Sequence, residues 1–253
     1  VKRLTADRLL QSQGYGTRRW CQQLISAGEF SVDGETHRDP RALLDPQLQR
    51  FSIFGEPLVY RPQVYLALNK PAGYECSRKA THHPGVLTLL PEQMRWRDVQ
   101  PVGRLDHDTT GLLLLSDDGG FIHRQASPRH QIAKRYRARL AVPADDALVA
   151  HLLAGVALHD EPVPLAAVAC LRLNSHELEL SLTEGKYHQV KRMLAAAGNH
   201  CIALSRVAIG GLRLEVLELA EGAWCHLGDD QLALLSASGH ADPGDSGAPV
   251  KPA

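Results

Sequence analysis

The stretch Val102-Gly103-Arg104-Leu105-Asp106-His107-Asp108-Thr109-Thr110-Gly111-Leu112-Leu113-Leu114-Leu115-Ser116-Asp117-Asp118-Gly119 constrains this chain more than any other. Its leucine run is short, ends at Asp-Gly, and reads as a strand buried on both faces that leaves through a tight turn. Gly103 and Gly111 let the backbone fold sharply on either side, so the intervening loop can present Asp106 above a rigid strand. Arg104 adds a permanent cation near the same space. A carboxylate held beside cations on a rigid element is how a nucleophile or an acid/base group is usually built. The ordinary alternative is that Asp106 merely caps or turns the loop. This stretch alone leaves both open.

A length of 253 residues allows one large domain, or a small one joined to a medium one. Lys+Arg and Asp+Glu number 28 each, so net charge gives no argument for an anionic partner. Their distribution does. Lys2, Arg3, Arg8, Arg18 and Arg19 face only Asp7 near the start, while Arg124, Arg129, Lys134, Arg135, Arg137 and Arg139 run together with no acid among them. Acids collect late, from Glu215 to Asp245. Basic clusters offset by a remote acidic end fit a phosphate-binding face. The five cysteines are scattered without a Cys-x-x-Cys pair, and neither a leader nor an apolar run of membrane-spanning length is evident. The expectation is a reduced, cytoplasmic protein with no membrane contact. The histidines include His82-His83 but no zinc-like spacing, so no metal is expected.

Residues 1–60 read as a small unit. Thr5 can cap a first helix with Ala6, Leu9 and Leu10 inward, and Thr17 a second, Arg18 to Ala27, with Cys21, Leu24 and Ile25 inward and Gly28 as terminator. Phe30-Ser31-Val32 leads into Asp33-Gly34, a strong hairpin signal. Arginines at the start of the second helix stand where amide groups also attract phosphate, although isolated helix-end arginines are more often simply solvated. Gly55, Pro57 and Pro62 suggest a linker before a second domain at 63–236, which opens with the apolar strand Val64 to Leu68 and a turn at Pro71 and Gly73. Residues 121–126 suggest a short helix, 127–130 a loop.

Ala133 to Leu140 reads as a strand with two unlike faces: Lys134, Tyr136, Ala138 and Leu140 on one, Arg135, Arg137 and Arg139 on the other. Tyrosine in such a place is commonly plain core, but Lys134 beside Tyr136 strengthens a functional reading. Asp145 can cap a helix ended by Gly155, and Leu178, Leu180 and Leu182 alternate as a half-buried strand. In the segment from Glu184 to Leu194, Val190, Met193, Leu194 and Ala197 define the packed face of a helix. Lys191, one step round, can lean into a cleft, whereas Arg192 points outward; the bland version has both solvated. Strands are expected at 202–207 and 212–217, and a disordered tail at 237–253.

Asp7-Arg8-Leu9-Leu10, Gly16-Thr17-Arg18-Arg19 and Val32-Asp33-Gly34 resemble the small RNA-binding domain shared with a ribosomal small-subunit protein, the "S-four" type. Ala6 and Thr17 depart from the larger apolar residue and the Ser usual there. Four later stretches stand in order: Lys70-Pro71-x-Gly73, Gly103-Arg104-Leu105-Asp106-x-Asp108-Thr109-x-Gly111, Lys134-x-Tyr136, and Glu184-Gly185-x-Tyr187-His188-Gln189-Val190-Lys191-Arg192-Met193. Together they resemble the RNA pseudouridine synthases over nearly the whole chain. Gly73-Tyr74-x-Cys76-Ser77, His83-Pro84 and Ser127-Pro128-Arg129-His130 look most like the branch that modifies 16S ribosomal RNA, although relatives acting on 23S RNA share the catalytic motifs.

The resemblance implies an α+β protein: a small N-terminal α/β RNA-binding domain, then a catalytic domain with a mixed, largely antiparallel sheet flanked by helices. It implies isomerisation of a ribosomal uridine with no cofactor, by a chain that acts as a monomer, on RNA that can be part of a subunit assembly intermediate. Asp106 matches the family's catalytic Asp, as nucleophile or general base. Tyr136 matches the aromatic that stacks on the target uracil, Lys191 the basic partner of the Asp, and Arg104 the residue that fills the gap left by the everted base. Lys70, Lys134, His188, Gln189 and Arg192 lie in the matched motifs, and with Arg8, Arg18, Arg19, Arg135 and Arg137 they are the expected RNA contacts. Everting a base costs a few kcal/mol. Stacking on one aromatic offsets about 1–3 kcal/mol of it, and phosphate contacts must supply the rest.

Two other readings compete. Asp106-His107-Asp108-Thr109 also fits the Asp-x-Asp-x-Thr of Mg-dependent haloacid-dehalogenase-like phosphatases, but those place the first Asp after a continuous apolar strand, and Gly103-Arg104-Leu105 precedes it here. A non-catalytic RNA-binding or ribosome-assembly factor would keep the basic clusters and tolerate loss of Asp106, Tyr136 or Lys191, all of which are present.

Overall fold

The computed structural model describes residues 3–77 and 79–236. The tail expected at 237–253 lies outside them. In chain order the elements are β1 (Leu4–Thr5), α1 (Ala6–Ser12), α2 (Arg18–Ala27), β2 (Phe30–Val32), β3 (Glu35–His37), β4 (Leu43–Leu44), β5 (Phe51–Ile53), β6 (Glu56–Leu58) and β7 (Tyr65–Lys70). Then come α3 (Glu92–Trp96), β8 (Gln100–Pro101), β9 (Thr110–Ser116), α4 (Gly119–Ala126), β10 (Lys134–Leu140), α5 (Asp146–Ala154), β11 (Ala169–Asn174) and β12 (Glu177–Leu182). The chain continues through α6 (Gln189–Ala196), β13 (Cys201–Ile209), β14 (Leu212–Arg213), β15 (Trp224–His226) and α7 (Asp229–Leu234). The described residues form two compact units, one within 3–127 with 217–228, the other of 128–216 with 229–236.

The first unit opens with the helix pair α1 and α2 over the four-stranded sheet β3-β2-β5-β6, around Leu9, Leu10, Cys21, Ile25, Phe30 and Ile53. Thr17 caps α2 by accepting from the Trp20 amide at 3.2 Å, and Gly28 ends it in the left-handed conformation. Thr5 differs from expectation. It holds the N-cap position, but its hydroxyl bonds the Asp7 carboxylate rather than an amide. Asp7 is buried, and it also accepts from Arg18 Nε at 2.8 Å and Gln22 Nε2 at 2.7 Å. Burial raises the Asp7 carboxyl, and the hydrogen bonds from Thr5, Gln22 and Arg18 with the Arg18 charge outweigh it, holding its pKa at about 2.

Gly55 and Pro57 are not linker. Phe54-Gly55 turns the hairpin between β5 and β6, and Pro57 sits on the edge strand β6, where a missing N–H is tolerated. Arg97 joins the end of α1 to the end of β9: it pairs with Asp117 at 2.7 Å, donates to Gln13 Oε1 at 3.0 Å and reaches the Arg61 carbonyl at 3.0 Å.

The larger sheet of this unit pairs β9 with β7 and β7 with β15, and β8 adds to β9, all antiparallel. Leu112 to Leu115 are wholly buried, as a strand covered on both faces requires. Asp118-Gly119 is a helix start rather than a hairpin turn, because Asp118 Oδ1 accepts from the Gly120 and Phe121 amides at 2.8 and 3.1 Å and so begins α4.

In the second unit β10 lies between β12 and β13, β11 flanks β12, and β14 pairs β13, again antiparallel. Ala138, Leu140, Leu178, Leu180 and Leu182 share one core with Leu148 and Leu152 of α5 and Val190, Met193 and Leu194 of α6. Asp145 caps α5 through the Leu148 amide at 2.8 Å. The strand expected at 212–217 covers only Leu212–Arg213, and Glu215–Leu217 coil into a 3-10 turn.

Candidate active site

Asp106 sits half-buried on the loop between β8 and β9. Val102, Leu105 and Thr109 are buried and anchor that loop, with Gly103 at φ 73° and Gly111 at φ 98° making the two bends. The Asp106 carbonyl accepts from the Thr109 amide at 3.1 Å, and the His107 carbonyl from the Gly73 amide at 2.8 Å. Beneath them lies Lys70, the last residue of β7, with no exposed surface. Its ammonium donates to the carbonyls of Pro71 (2.9 Å), His107 (3.1 Å) and Thr109 (2.8 Å). Burial lowers the Lys70 pKa, against the opposing pull of Cys76, Asp108, Asp106 and Glu221. Lys70 is therefore no RNA contact. It is a buried cation that ties the Asp106 loop to β7.

The outer side of the loop is ordered as well. His107 stacks on His83, with ring centroids 4.4 Å apart. His83 belongs to a turn wound round Glu75, whose carboxylate accepts the amides of Thr81, His82 and His83 at 3.2, 3.0 and 2.9 Å. Desolvation raises the Glu75 carboxyl, but those three amides with the His82 charge leave it below the usual range. Arg104 is exposed on the same loop.

The second unit carries Tyr136 half-buried on β10, against the core and opposite Leu180 of β12 and Arg206 of β13. Opposed residues in a ladder share a face, so Tyr136 and Arg206 lie side by side. Arg206 is buried. Sequence reasoning misses it, and the signal that could have found it is a lone arginine between the inward apolar positions Leu204 and Ala208. Lys134 is half-buried, donates to the Ile132 carbonyl at 3.2 Å, and has a pKa lowered to about 8 by burial and by Arg206.

Lys191 is half-buried on the first turn of α6. His188, at φ 45°, precedes that helix and stacks on the exposed Tyr187 at 3.9 Å. Several expected RNA contacts also hold partners within the protein. Gln189 is buried, accepts from the Lys186 amide at 2.9 Å and so closes the turn before α6. Arg192 pairs with Asp160 at 2.7 Å and donates to the Tyr187 carbonyl at 3.0 Å. Arg135 and Arg137 do share a face, but both pair with Glu179 of β12, at 3.5 and 3.6 Å. Arg18 serves the buried Asp7. Arg8 and Arg19 are exposed on α1 and α2.

Among the described residues, no three His, Cys, Asp or Glu side chains are grouped to hold a metal ion, and no helix is long and apolar enough to cross a membrane. The long apolar strand β9 follows Asp106, and only the two-residue β8 precedes it, which is the reverse of the phosphatase arrangement.

Residues 64–196 match the family model of the RNA pseudouridylate synthases. The chain belongs to that family. An uncharacterized RNA pseudouridine synthase of Bacillus subtilis, YtzG, is 36% identical over 234 residues, 91% of this chain and 97% of that protein. Ribosomal small subunit pseudouridine synthase A of Escherichia coli K12 is 38% identical over 229 residues, 90% of this chain and 97% of its own. A crystal structure of a pseudouridylate synthase superposes with a TM-score of 0.64 at 31% identity, covering 92% of this chain and 99% of that one. The α+β architecture described above is thus a pseudouridine synthase fold, and the phosphatase alternative falls away.

Proposed function

We propose that this chain converts a uridine of ribosomal RNA, in the 16S RNA of the small subunit, to pseudouridine. The small-subunit assignment rests on the Escherichia coli relative, which is named for that subunit. The observation that carries the chemistry is the Asp106 loop, a half-buried carboxylate on a loop that a fully buried ammonium holds through the His107 and Thr109 carbonyls. Such a site spends no reorganisation on aiming its acid group.

In the reaction the C1′–N1 glycosidic bond breaks, the uracil turns, and a C1′–C5 bond forms. The C5 proton is lost and N1 gains one, so atoms and charge balance without redox chemistry or a cofactor. Asp106 acts as nucleophile or general base. Tyr136 stacks on the uracil and can assist removal of the C5 proton, with Lys134 and the buried Arg206 fixing the electrostatics of its strand. Lys191 is the basic partner of Asp106, and Arg104 occupies the gap in the RNA stack. Residues 1–60 serve as the S-four type RNA-binding module, with Arg8 and Arg19 for phosphate, and residues 63–236 as the catalytic domain. The protein works as a monomer.

Because the C5 hydrogen must leave, ribosomal RNA tritiated at C5 of uridine reports turnover as tritium released to water. Asp106→Asn should keep RNA affinity within about twofold and release none. Turnover retained in that variant rejects the mechanism.

A further inference from the structure

A cleft of about 410 Å³ opens in the first unit, and no residue of the Asp106 loop lines it. Tyr15, Trp20 and Phe54 line it from the N-terminal module, and Glu92 and Trp96 from α3. Its volume falls toward the low end of small-molecule sites, about 300–1000 Å³. Trp20, Phe54 and Trp96 are 53%, 56% and 53% exposed, so three large rings stand in water around one cavity. Exposed rings gathered round a cavity mark a binding surface more often than rings scattered singly.

Phe54 shows that its exposure is costly to maintain. It stands at φ 53°, before Gly55 at φ 81°, in the turn of the β5–β6 hairpin. The neighbouring β2–β3 hairpin makes the same turn with Asp33 at φ 51° and Gly34 at φ 88°. Asp, Asn and Gly adopt this left-handed position readily, whereas a bulky aromatic there is a strained exception. One sheet therefore holds the ordinary solution and a disfavoured one, and the disfavoured one points a ring into the cleft lining. Strain of this kind concentrates at ligand clamps.

The walls are fixed. A Cβ on Gly14 would come within 2.1 Å of the Gln93 carbonyl oxygen, so the end of α1 and the start of α3 meet backbone to backbone. A Cβ on Gly16 would lie 3.1 Å from Trp20 Cδ1, which means the indole rests against bare main chain. Glu92 orients the other indole by accepting from Trp96 Nε1 at 3.3 Å.

Charge decides what enters. Each indole directly follows an arginine, in Arg19-Trp20 and Arg95-Trp96, and both arginines are exposed. The one acid in the lining, Glu92, repels a phosphate from the cavity itself but can accept from the N–H edge of a base. Rings for stacking, with exposed cations one residue away along the chain, are the composition of a single-stranded nucleic-acid site. We propose that this cleft takes an unpaired base of the RNA substrate, stacked among Trp20, Phe54 and Trp96, with the flanking phosphates on Arg19 and Arg95. The proposal rests on the chain acting on RNA.

The test is fluorescence anisotropy of a short labelled single-stranded RNA rich in adenosine, with full-length wild type, Trp20→Ala, Trp96→Ala and Phe54→Asn. Each Trp variant should weaken binding by about tenfold, the scale of one stacked base. Phe54→Asn should raise the melting temperature while it weakens binding, which no purely structural role for Phe54 would produce. Unchanged affinity in all three variants overturns the proposal. So does a defect seen only with particles that carry ribosomal proteins, which would make the occupant a protein segment. Tritium release by the wild type on ribosomal RNA is measured alongside. Release together with variant-insensitive oligonucleotide binding rejects the cleft and leaves the catalytic reading standing. No release rejects the catalytic reading, and the anisotropy series still decides the cleft.

Discussion

Replacing Lys70 by Met tests whether the Asp106 loop is held from beneath. Methionine has similar length and no charge, so packing in this fully buried position is nearly kept while the Pro71 and Thr109 carbonyls lose this donor and the His107 carbonyl keeps the Gly73 amide. A buried acceptor left without a partner costs about 1–3 kcal/mol, which sets an upper bound of about 6 kcal/mol for two. Removing an ammonium that was itself desolvated offsets several kcal/mol of that. The net loss should be about 2–4 kcal/mol, which for a chain of this size corresponds to about 5–15 °C in melting temperature. Two of the three carbonyls, those of His107 and Thr109, lie within three residues of Asp106. Their release lets the carboxylate drift, and a 1 Å error at a reacting group costs about 100-fold. Because Lys70 never reaches solvent, RNA affinity should stay within about twofold. Urea denaturation, tritium release and RNA binding are compared for wild type and Lys70→Met. A large fall in kcat with RNA affinity retained supports the clamp. Wild-type stability with wild-type turnover, or a loss of RNA affinity in proportion to the loss of rate, refutes it.

Tyr136→Ala should lower turnover far more than RNA affinity, and equal losses in both would remove it from the uracil. Lys134 titrates in the folded protein at about 8, below its ordinary value. Its folded form binds a proton less readily than the unfolded chain, so stability conferred relative to Lys134→Met rises as pH climbs from about 8 toward 10.5; denaturation midpoints of the two proteins across that window check the sign. Arg18 and Arg19 should separate. Arg18→Ala removes the cation paired with the buried Asp7 carboxylate and lowers the melting temperature, whereas Arg19→Glu leaves stability near wild type and reduces the slope of log affinity against log salt by about one. An identical salt slope for Arg19→Glu would take that residue off the RNA.

How much of the fold is legible in the chain depends on how local each signal is. The cap at Thr17, the Asp33-Gly34 turn, the Asp145 cap and the Leu178–Leu182 alternation depend on residues within a few positions of one another, and the fold realises each of them. What the sequence hides has another cause. Arg135, Arg137, Arg192 and Arg18 resemble free cations in the sequence because their partners, Glu179, Asp160 and Asp7, are distant along the chain or on another strand. Lys70 resembles an RNA contact because a lysine beside a turn is ordinarily exposed, and only the fold reveals carbonyls on three sides of it. Arg206 escapes notice for the converse reason: an arginine at an inward strand position reads as an interruption until the ladder sets it beside Tyr136. Charged side chains in this protein therefore divide by burial. Lys70, Arg206 and Lys134 act inward on loops and rings, Arg135 and Arg192 on neighbouring acids, while Arg8, Arg19, Arg95 and Arg104 keep the exposure that a phosphate backbone requires.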